Sequence, residues 1–406
     1  MQTTPRYPVR IWFGLLVLCL AAAVTLLHSA VLSPLLRPIG EEFRTPDGLT
    51  GQLATLGSLV GFAFSLAATP WMDRWSRRTW FRLEGSLILV ACLLAALAPS
   101  FGWLALARII STCGTALLMA NCMIGARELF HDPVWRNRAI ALIVSATTIA
   151  FILGLPVLTQ IAARFGWRVA IGSIAIPAAL LVVGTFALPR DAASPMSTAS
   201  ADRRLGAFPA VLGDRRIRFL LVVLGLNLAL YSGWFVYFGA YMIEVFTVSA
   251  GILSALFLVS GLTQLAANNL APPLLRRFDP VWIVTVALIG VGVALLLTGS
   301  AITMIPSALV AAVIVLNGTG VAYIATTVLL LDRESSHPGA VMALAAATSS
   351  LGAALGPFIT GVALTSTGSF DVAYRTLGVL APLAIVALWS GTRRHVTASV
   401  LEQVNS

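Results

Sequence analysis

The sequence has little charge. Of its 406 residues only 10% are Asp, Glu, Lys or Arg, where a soluble globular chain carries roughly a quarter. Lysine is absent, so all 26 basic residues are arginine. The four cysteines, Cys19, Cys92, Cys113 and Cys122, stand inside apolar stretches without metal-ligand spacing, which excludes a disulfide framework or a zinc site as the organising feature. No Gly-rich, Lys-containing phosphate loop occurs, which argues against direct ATP drive. A membrane-embedded enzyme would need clustered carboxylates, His ligands or a Ser/His or Cys/His arrangement, and the sequence offers none. The expectation is a non-enzyme with no catalytic residue, cofactor or metal.

What is present is apolar. Hydrophobic residues make up 58% of the chain, and the mean hydropathy is +0.92. Twelve helical spans of about 20 residues need roughly 240 residues, which the chain accommodates with short loops and one longer linker but no large extramembrane domain. Apolar runs fall near 11–36, 49–72, 81–99, 102–126, 138–160, 168–188, 217–241, 249–272, 280–299, 303–330, 338–364 and 371–390. The first run is too long for a signal-peptide core and no small-residue cleavage site follows it, so it is expected to remain as span 1.

The net charge of +10 would suggest nucleic acid in a soluble protein. Here the arginines punctuate apolar runs, so they report topology and not a nucleic-acid surface. With both termini placed inside, 20 arginines fall on the cytoplasmic side, among them Arg190, Arg203, Arg204, Arg215, Arg216 and Arg218 around the central break. Five, Arg37, Arg44, Arg164, Arg168 and Arg375, fall on the opposite side, and Arg108 lies within span 4. The expected setting is a bacterial cytoplasmic (inner) membrane with both termini cytoplasmic.

The break at 189–216 is the one long polar segment, and it divides the spans six and six. It separates an N-terminal bundle at 1–188 from a C-terminal bundle at 217–392, followed by a cytoplasmic tail at 393–406. A shift of 202 residues carries Gly154 onto Gly356, Gly166 onto Gly368 and Arg74 onto Arg276, which suggests a duplicated six-helix unit.

After span 2 the chain reads Asp73-Arg74-Trp75-Ser76-Arg77-Arg78. Beyond a loop of positive charge, this resembles the cytoplasmic loop signature of the major facilitator superfamily, with Thr69 and Ser76 where that signature has glycines. Arg127-Glu128 and Arg136-Asn137-Arg138-Ala139 resemble the same superfamily's loop between spans 4 and 5. Gly154-Leu155-Pro156 followed by Phe165-Gly166-Trp167-Arg168 is similar to the bacterial drug:proton antiporters, including their sugar-efflux-like branch. Span 11 has a counterpart in Gly352, Gly356-Pro357 and Gly361. Glycine lets helices approach closely and proline removes a backbone donor, so Gly154, Pro156, Gly356 and Pro357 join Asp73, Arg74, Arg77 and Arg78 as the gating set.

Arg108 is the one charge deep in an apolar span and resembles the superfamily's span 4 signature, in which Gly114 also fits and Thr112 departs. A cation there faces the bundle interior or water, either as an anion or substrate contact or as a brace between helices. The resemblance implies a central cavity lined by spans 1, 4, 7 and 10. It places Asn227, Tyr231 and Trp234 there from span 7, with Asn317, Tyr323 and Thr326 from span 10, and leaves Tyr237 and Tyr241 to an interfacial belt. Many members carry a carboxylate in span 1, and this chain has His28 instead. An unperturbed imidazole titrates near neutrality, so His28 is the proton-coupling candidate, while Glu84 and Glu244 lie near helix ends within reach of water. Together the resemblance implies a proton-coupled exporter of a small organic molecule, drug or metabolite, working as a monomer in the bilayer by alternating access. Uniport or import of a small polar metabolite is the alternative.

Overall fold

The computed structural model describes residues 7–68, 75–188, 209–298, 304–331 and 338–404. Asp73 and Arg74 of the loop signature lie outside the described residues, as do Ser336 and His337 ahead of span 11. The protein is an all-α membrane protein, and its described residues include twelve helices long and apolar enough to cross a bilayer. They are α1 (Val9–Ala30), α2 (Asp47–Ala68), α3 (Arg77–Ala96), α4 (Phe101–Leu129), α5 (Pro133–Phe165) and α6 (Trp167–Gly184), then α7 (Arg215–Phe246), α8 (Ala250–Arg277), α9 (Pro280–Leu297), α10 (Ile305–Leu331), α11 (Ala340–Thr367) and α12 (Phe370–Thr392).

Several helices begin before the apolar run does, because capping sets their ends. Asp132 accepts from Val134 N at 2.9 Å and Trp135 N at 3.0 Å, with Pro133 opening α5. Asp279 accepts from Val281 N at 2.7 Å, with Pro280 opening α9. Each satisfies N–H groups that the first turn leaves free. Within the spans, serine and threonine hydroxyls bond back to carbonyls a turn earlier, as Thr25 does to Ala21 at 3.0 Å and Thr360 to Gly356 at 3.0 Å. Polar atoms thereby avoid facing hydrocarbon unpaired. Val90, Leu93, Val183, Val293 and Val386 stand exposed on outward faces, where lipid replaces water as the solvent.

The six-helix duplication is written in the backbone. Among the described residues the positive-φ glycines are Gly166 (φ 87°) and Gly368 (φ 66°), joining α5 to α6 and α11 to α12. The positive-φ non-glycine residues are Arg44 (φ 52°) and Thr247 (φ 49°). Arg44 ends the short helix Leu32–Phe43 that follows α1, and Thr247 ends α7. A left-handed residue with a side chain is disfavoured. Its presence at two sites 203 residues apart marks the same turn used twice.

By packing, the chain forms two compact units: Met1–Arg44, Val60–Met196 and Val248–Leu258 in one, and Thr45–Leu59, Ser197–Thr247 and Val259–Ser406 in the other. The opening half of α2 therefore packs with α7 and α11, and the opening of α8 packs with α5.

Candidate functional site

The polar centre of the first unit is Arg108. It enters from α4, and its Nη1 donates to His28 Nε2 of α1 at 2.9 Å and to the His28 carbonyl at 3.0 Å. A guanidinium has donors only, so Nε2 accepts and the ring proton sits on Nδ1. His28 is buried, and Arg108 Nε is buried without a partner. The Arg108 carbonyl accepts from Ser111 at 2.8 Å and Thr112 at 2.7 Å, which fixes this turn of α4. Proton uptake at His28 Nε2 therefore requires Arg108 to move away first.

A second polar cluster lies on α3 and α4. Glu84 is only 1% exposed, which corrects the expectation that it reaches water. The reason lies in how α3 is anchored. Arg82 donates to Thr185 Oγ1 at 3.0 Å and stacks over Phe186 at 4.3 Å, and Arg78 lies over the same ring at 5.0 Å. These arginines hold the end of α3, so Glu84 is carried inward against α4. Its Oε1 accepts from Asn121 Nδ2 at 2.9 Å. Asn121 Oδ1 in turn accepts from Arg77 Nη1 at 2.9 Å, and Arg77 Nε pairs with Glu128 at 3.2 Å. Two residues of the loop signature are thus placed: Arg77 in this chain of contacts and Arg78 buried beside Phe186. Ser76 caps α3, accepting from Thr79 N at 3.2 Å. Glu244, by contrast, is exposed near the end of α7.

The glycine and proline motifs fall at matching contacts. In α5 the turn Ala150–Gly154 is widened to π geometry ahead of Pro156, which cannot donate to the carbonyl of Ile152. A Cβ on Gly154 would fall on Leu27 Cδ2 of α1, beside His28. In α11 a Cβ on Gly356 would fall on the Ala229 carbonyl of α7, and one on Gly352 on the Gly225 carbonyl. The kink carbonyls are then gripped from outside. Ser254 of α8 donates to the Pro156 carbonyl at 3.2 Å, while Gln160 donates to Ser254 at 3.0 Å and to the Ala250 carbonyl at 3.2 Å. Gln52 of α2 donates to the Pro357 carbonyl at 3.3 Å, and Tyr237 Oη donates to the carbonyls of Gly48 at 3.0 Å and Pro357 at 3.2 Å.

Sequence reasoning missed this grip. It left Tyr237 and Tyr241 to an interfacial belt, whereas both are buried, Tyr241 edge-on to Tyr374 at 5.2 Å. The signal available was a pair of glycines on two other helices, since Gly51 and Gly361 leave space that the Tyr237 side chain fills. The Phe165–Arg168 run proves to be a clamp: Trp167 Nε1 donates to Glu42 at 2.6 Å, Arg168 pairs with Glu42, and Arg168 also donates to the Ala98 carbonyl at 2.6 Å.

The residues expected from spans 7 and 10 are divided. Asn227 is buried and donates to the Thr319 carbonyl at 2.9 Å, joining α7 to α10. Asn317 donates to Thr263 at 3.2 Å. Asn227 Oδ1, Asn317 Oδ1 and Thr326 Oγ1 are buried without partners. Tyr231 stacks on Phe235 at 5.5 Å and Trp234 packs on Phe238 at 4.8 Å, while Tyr323 is 41% exposed.

The family model of the Major Facilitator Superfamily matches residues 18–336. The multidrug efflux pump LfrA of Mycolicibacterium smegmatis is 32% identical over 191 residues, covering 47% of this chain and 38% of that protein. A probable sugar efflux transporter of Mannheimia succiniciproducens is 26% identical over 269 residues, 65% of each chain. The chain thus spans under two thirds of the length of either relative. Among solved structures, the D-xylose-proton symporter superposes with a TM-score of 0.74 at 16% identity, over 93% of this chain and 97% of that one, a likeness of fold.

Proposed function

The chain belongs to the major facilitator superfamily, and we propose that it is a secondary active transporter that exports a small organic molecule, a drug or metabolite, in exchange for protons. The observation that carries this reading is Arg108, a cation deep in an apolar span whose Nη1 is held by a single histidine and whose buried Nε has no partner. Such a group is costly in a membrane unless something polar uses it. A substrate carboxylate, hydroxyl or carbonyl displacing His28 from Arg108 would do so. His28 would then be free to take a proton. The unpaired acceptors of Asn227 and Asn317, with the Thr326 hydroxyl, offer a complementary set for substrate donors.

In this reading α5 and α11 are the compliant elements of alternating access, Gly154, Pro156, Gly356 and Pro357 their hinges, and the loop from Asp73 to Arg78 the cytoplasmic brace. The efflux pumps among the relatives support export, and the arginine distribution supports a cytoplasmic-membrane protein with both termini inside. Import or uniport is the second reading, favoured by a symporter among the structural neighbours and by the lack of a carboxylate in α1.

Everted vesicles with an imposed pH gradient test the choice, using a panel of drugs, sugars and amino-acid derivatives. Gradient-dependent accumulation lost in Arg108→Gln is the expected result. Accumulation indifferent to the gradient favours uniport, and uptake in the opposite sense favours import.

A further inference from the structure

Glu84 stands apart from the contacts described so far, because nothing neutralises it directly. Its Oε2 is buried and has no hydrogen-bond partner. Its Oε1 is held by an amide, not by a cation, at 2.9 Å. The nearest cation, Arg77, lies one side chain further out, engaged by Asn121 Oδ1 and by Glu128. An ionised carboxylate in this position would be desolvated, with one neutral donor and an empty lone pair on the second oxygen. The same carboxyl carrying a proton on Oε2 is neutral, with Oε1 still accepting from Asn121. The site is also closed: Gly114 of α4 has no Cβ, and one would press on the Glu84 carbonyl at 2.7 Å and on Ile88 at 2.8 Å, so α3 and α4 meet over it.

We propose that Glu84 is a proton-binding site of the transport cycle, clamped by Asn121 and read out at the cytoplasmic loop through Arg77 and Glu128. This rests on the proton-coupled reading above. The step is one proton leaving Glu84 Oε2 for water when α3 and α4 part, and one returning from water on the other side of the cycle. Ionised Glu84 then competes with Glu128 for Arg77, drawing the start of α3 with it. The groups that face Glu84 are few. Its own helix supplies Arg77, while Arg78 and Arg82 are turned to Phe186. Helix α4 supplies Asn121 and Cys122, with Glu128 reached through Arg77, and the stretch Ala175–Gly184 of α6 contains no titratable residue.

Infrared difference spectroscopy of the full chain in nanodiscs across pH tests the site with the proton alone as ligand. A protonated-carboxyl C=O band that disappears on alkalinisation, is missing in Glu84→Gln and persists at a shifted frequency in Glu84→Asp is expected. In Glu128→Gln, where Arg77 loses its competing partner, the band should vanish at lower pH than in the native chain. A native chain without such a band, a band retained in Glu84→Gln, or one that never titrates while the fold persists overturns the proposal. An unchanged titration in Glu128→Gln overturns the read-out. Because no substrate is used, a titrating Glu84 beside gradient-independent transport in vesicles would sink the coupled-export reading and Glu84's place in the cycle, while the proton site itself would stand.

Discussion

Counting on by 202 residues from the first repeat to the second separates two kinds of residue. The contact residues have partners in kind: Leu27 and Ala229 under the two glycines Gly154 and Gly356, Gln52 and Ser254 on the two kink carbonyls, Gly166 and Gly368 at the two positive-φ turns. The buried titratable residues of the two polar clusters do not. His28 becomes Leu230, Glu84 becomes Val286 and Arg108 becomes Val310, the last two 65% and 59% exposed. What the repeats share is therefore mechanical, and what they do not share is chemical. The first repeat holds His28, Glu84 and Arg108, and the second keeps the same skeleton with apolar residues in those three places.

The largest break in this comparison should come from the glycines. Gly356 meets backbone, the Ala229 carbonyl, which cannot rotate away, whereas Gly154 meets the tip of a flexible leucine. Overpacking a tight contact costs about 1–3 kcal/mol and more where backbone must move. Gly356→Ala should abolish transport or lower the thermal unfolding midpoint markedly. Gly154→Ala should be mild and be restored by Leu27→Ala. Equal effects at the two sites, read by transport and thermal unfolding, would show that the contacts are not the same device on two partners.

Next is the chemical difference. Arg108→Lys keeps the charge, but its shorter side chain does not carry a nitrogen to the place from which Nη1 reaches both Nε2 and the carbonyl of His28. Losing a charge-assisted hydrogen bond of ~1.5–3 kcal/mol predicts transport of anionic or zwitterionic substrates falling by about tenfold to a hundredfold. Val310→Arg in the second repeat should not restore it. Rescue by Val310→Arg, measured as export rate, would mean that the repeats are chemically interchangeable after all.

The parts legible from sequence were those set by local rules. Span number and the repeat shift follow from hydropathy and glycine placement, which need no knowledge of neighbours. Arg108 was legible because a lone charge in an apolar run is rare. Glu84 was not, because seven residues from the start of α3 it could point outward or inward, and the direction is set by Arg82 meeting Phe186 from another helix. Tyr237 failed for a similar reason. An aromatic near a helix end fits a belt equally well until the glycines of two other helices are seen around it.

Smaller effects should follow at the kink carbonyls, and they are unequal by construction. The α11 carbonyl of Pro357 has two donors, Tyr237 and Gln52, while the α5 carbonyl of Pro156 has Ser254. Tyr237→Phe removes bonds to two carbonyls, Gly48 and Pro357, in a buried site. That hydroxyl has one proton shared between the two carbonyls, so at ~1–2 kcal/mol for its loss from a buried site, amide exchange across residues 47–55 should rise by roughly 5- to 30-fold.

Ser254→Ala should do less. Ser254 loses one donation to Pro156, and Gln160 loses one of its two acceptors but keeps the Ala250 carbonyl at 3.2 Å, so no donor is left stranded. The two neutral bonds lost, both part-buried and each at the ~0.5 kcal/mol low end, correspond to about a fivefold rise in amide exchange, confined to residues 250–258. Since a weakened grip also eases departure from the observed arrangement, turnover should rise wherever that departure limits the cycle. If exchange at 250–258 rises as much as exchange at 47–55 does in Tyr237→Phe, the two grips are equal in strength and the asymmetry read from their donors is wrong.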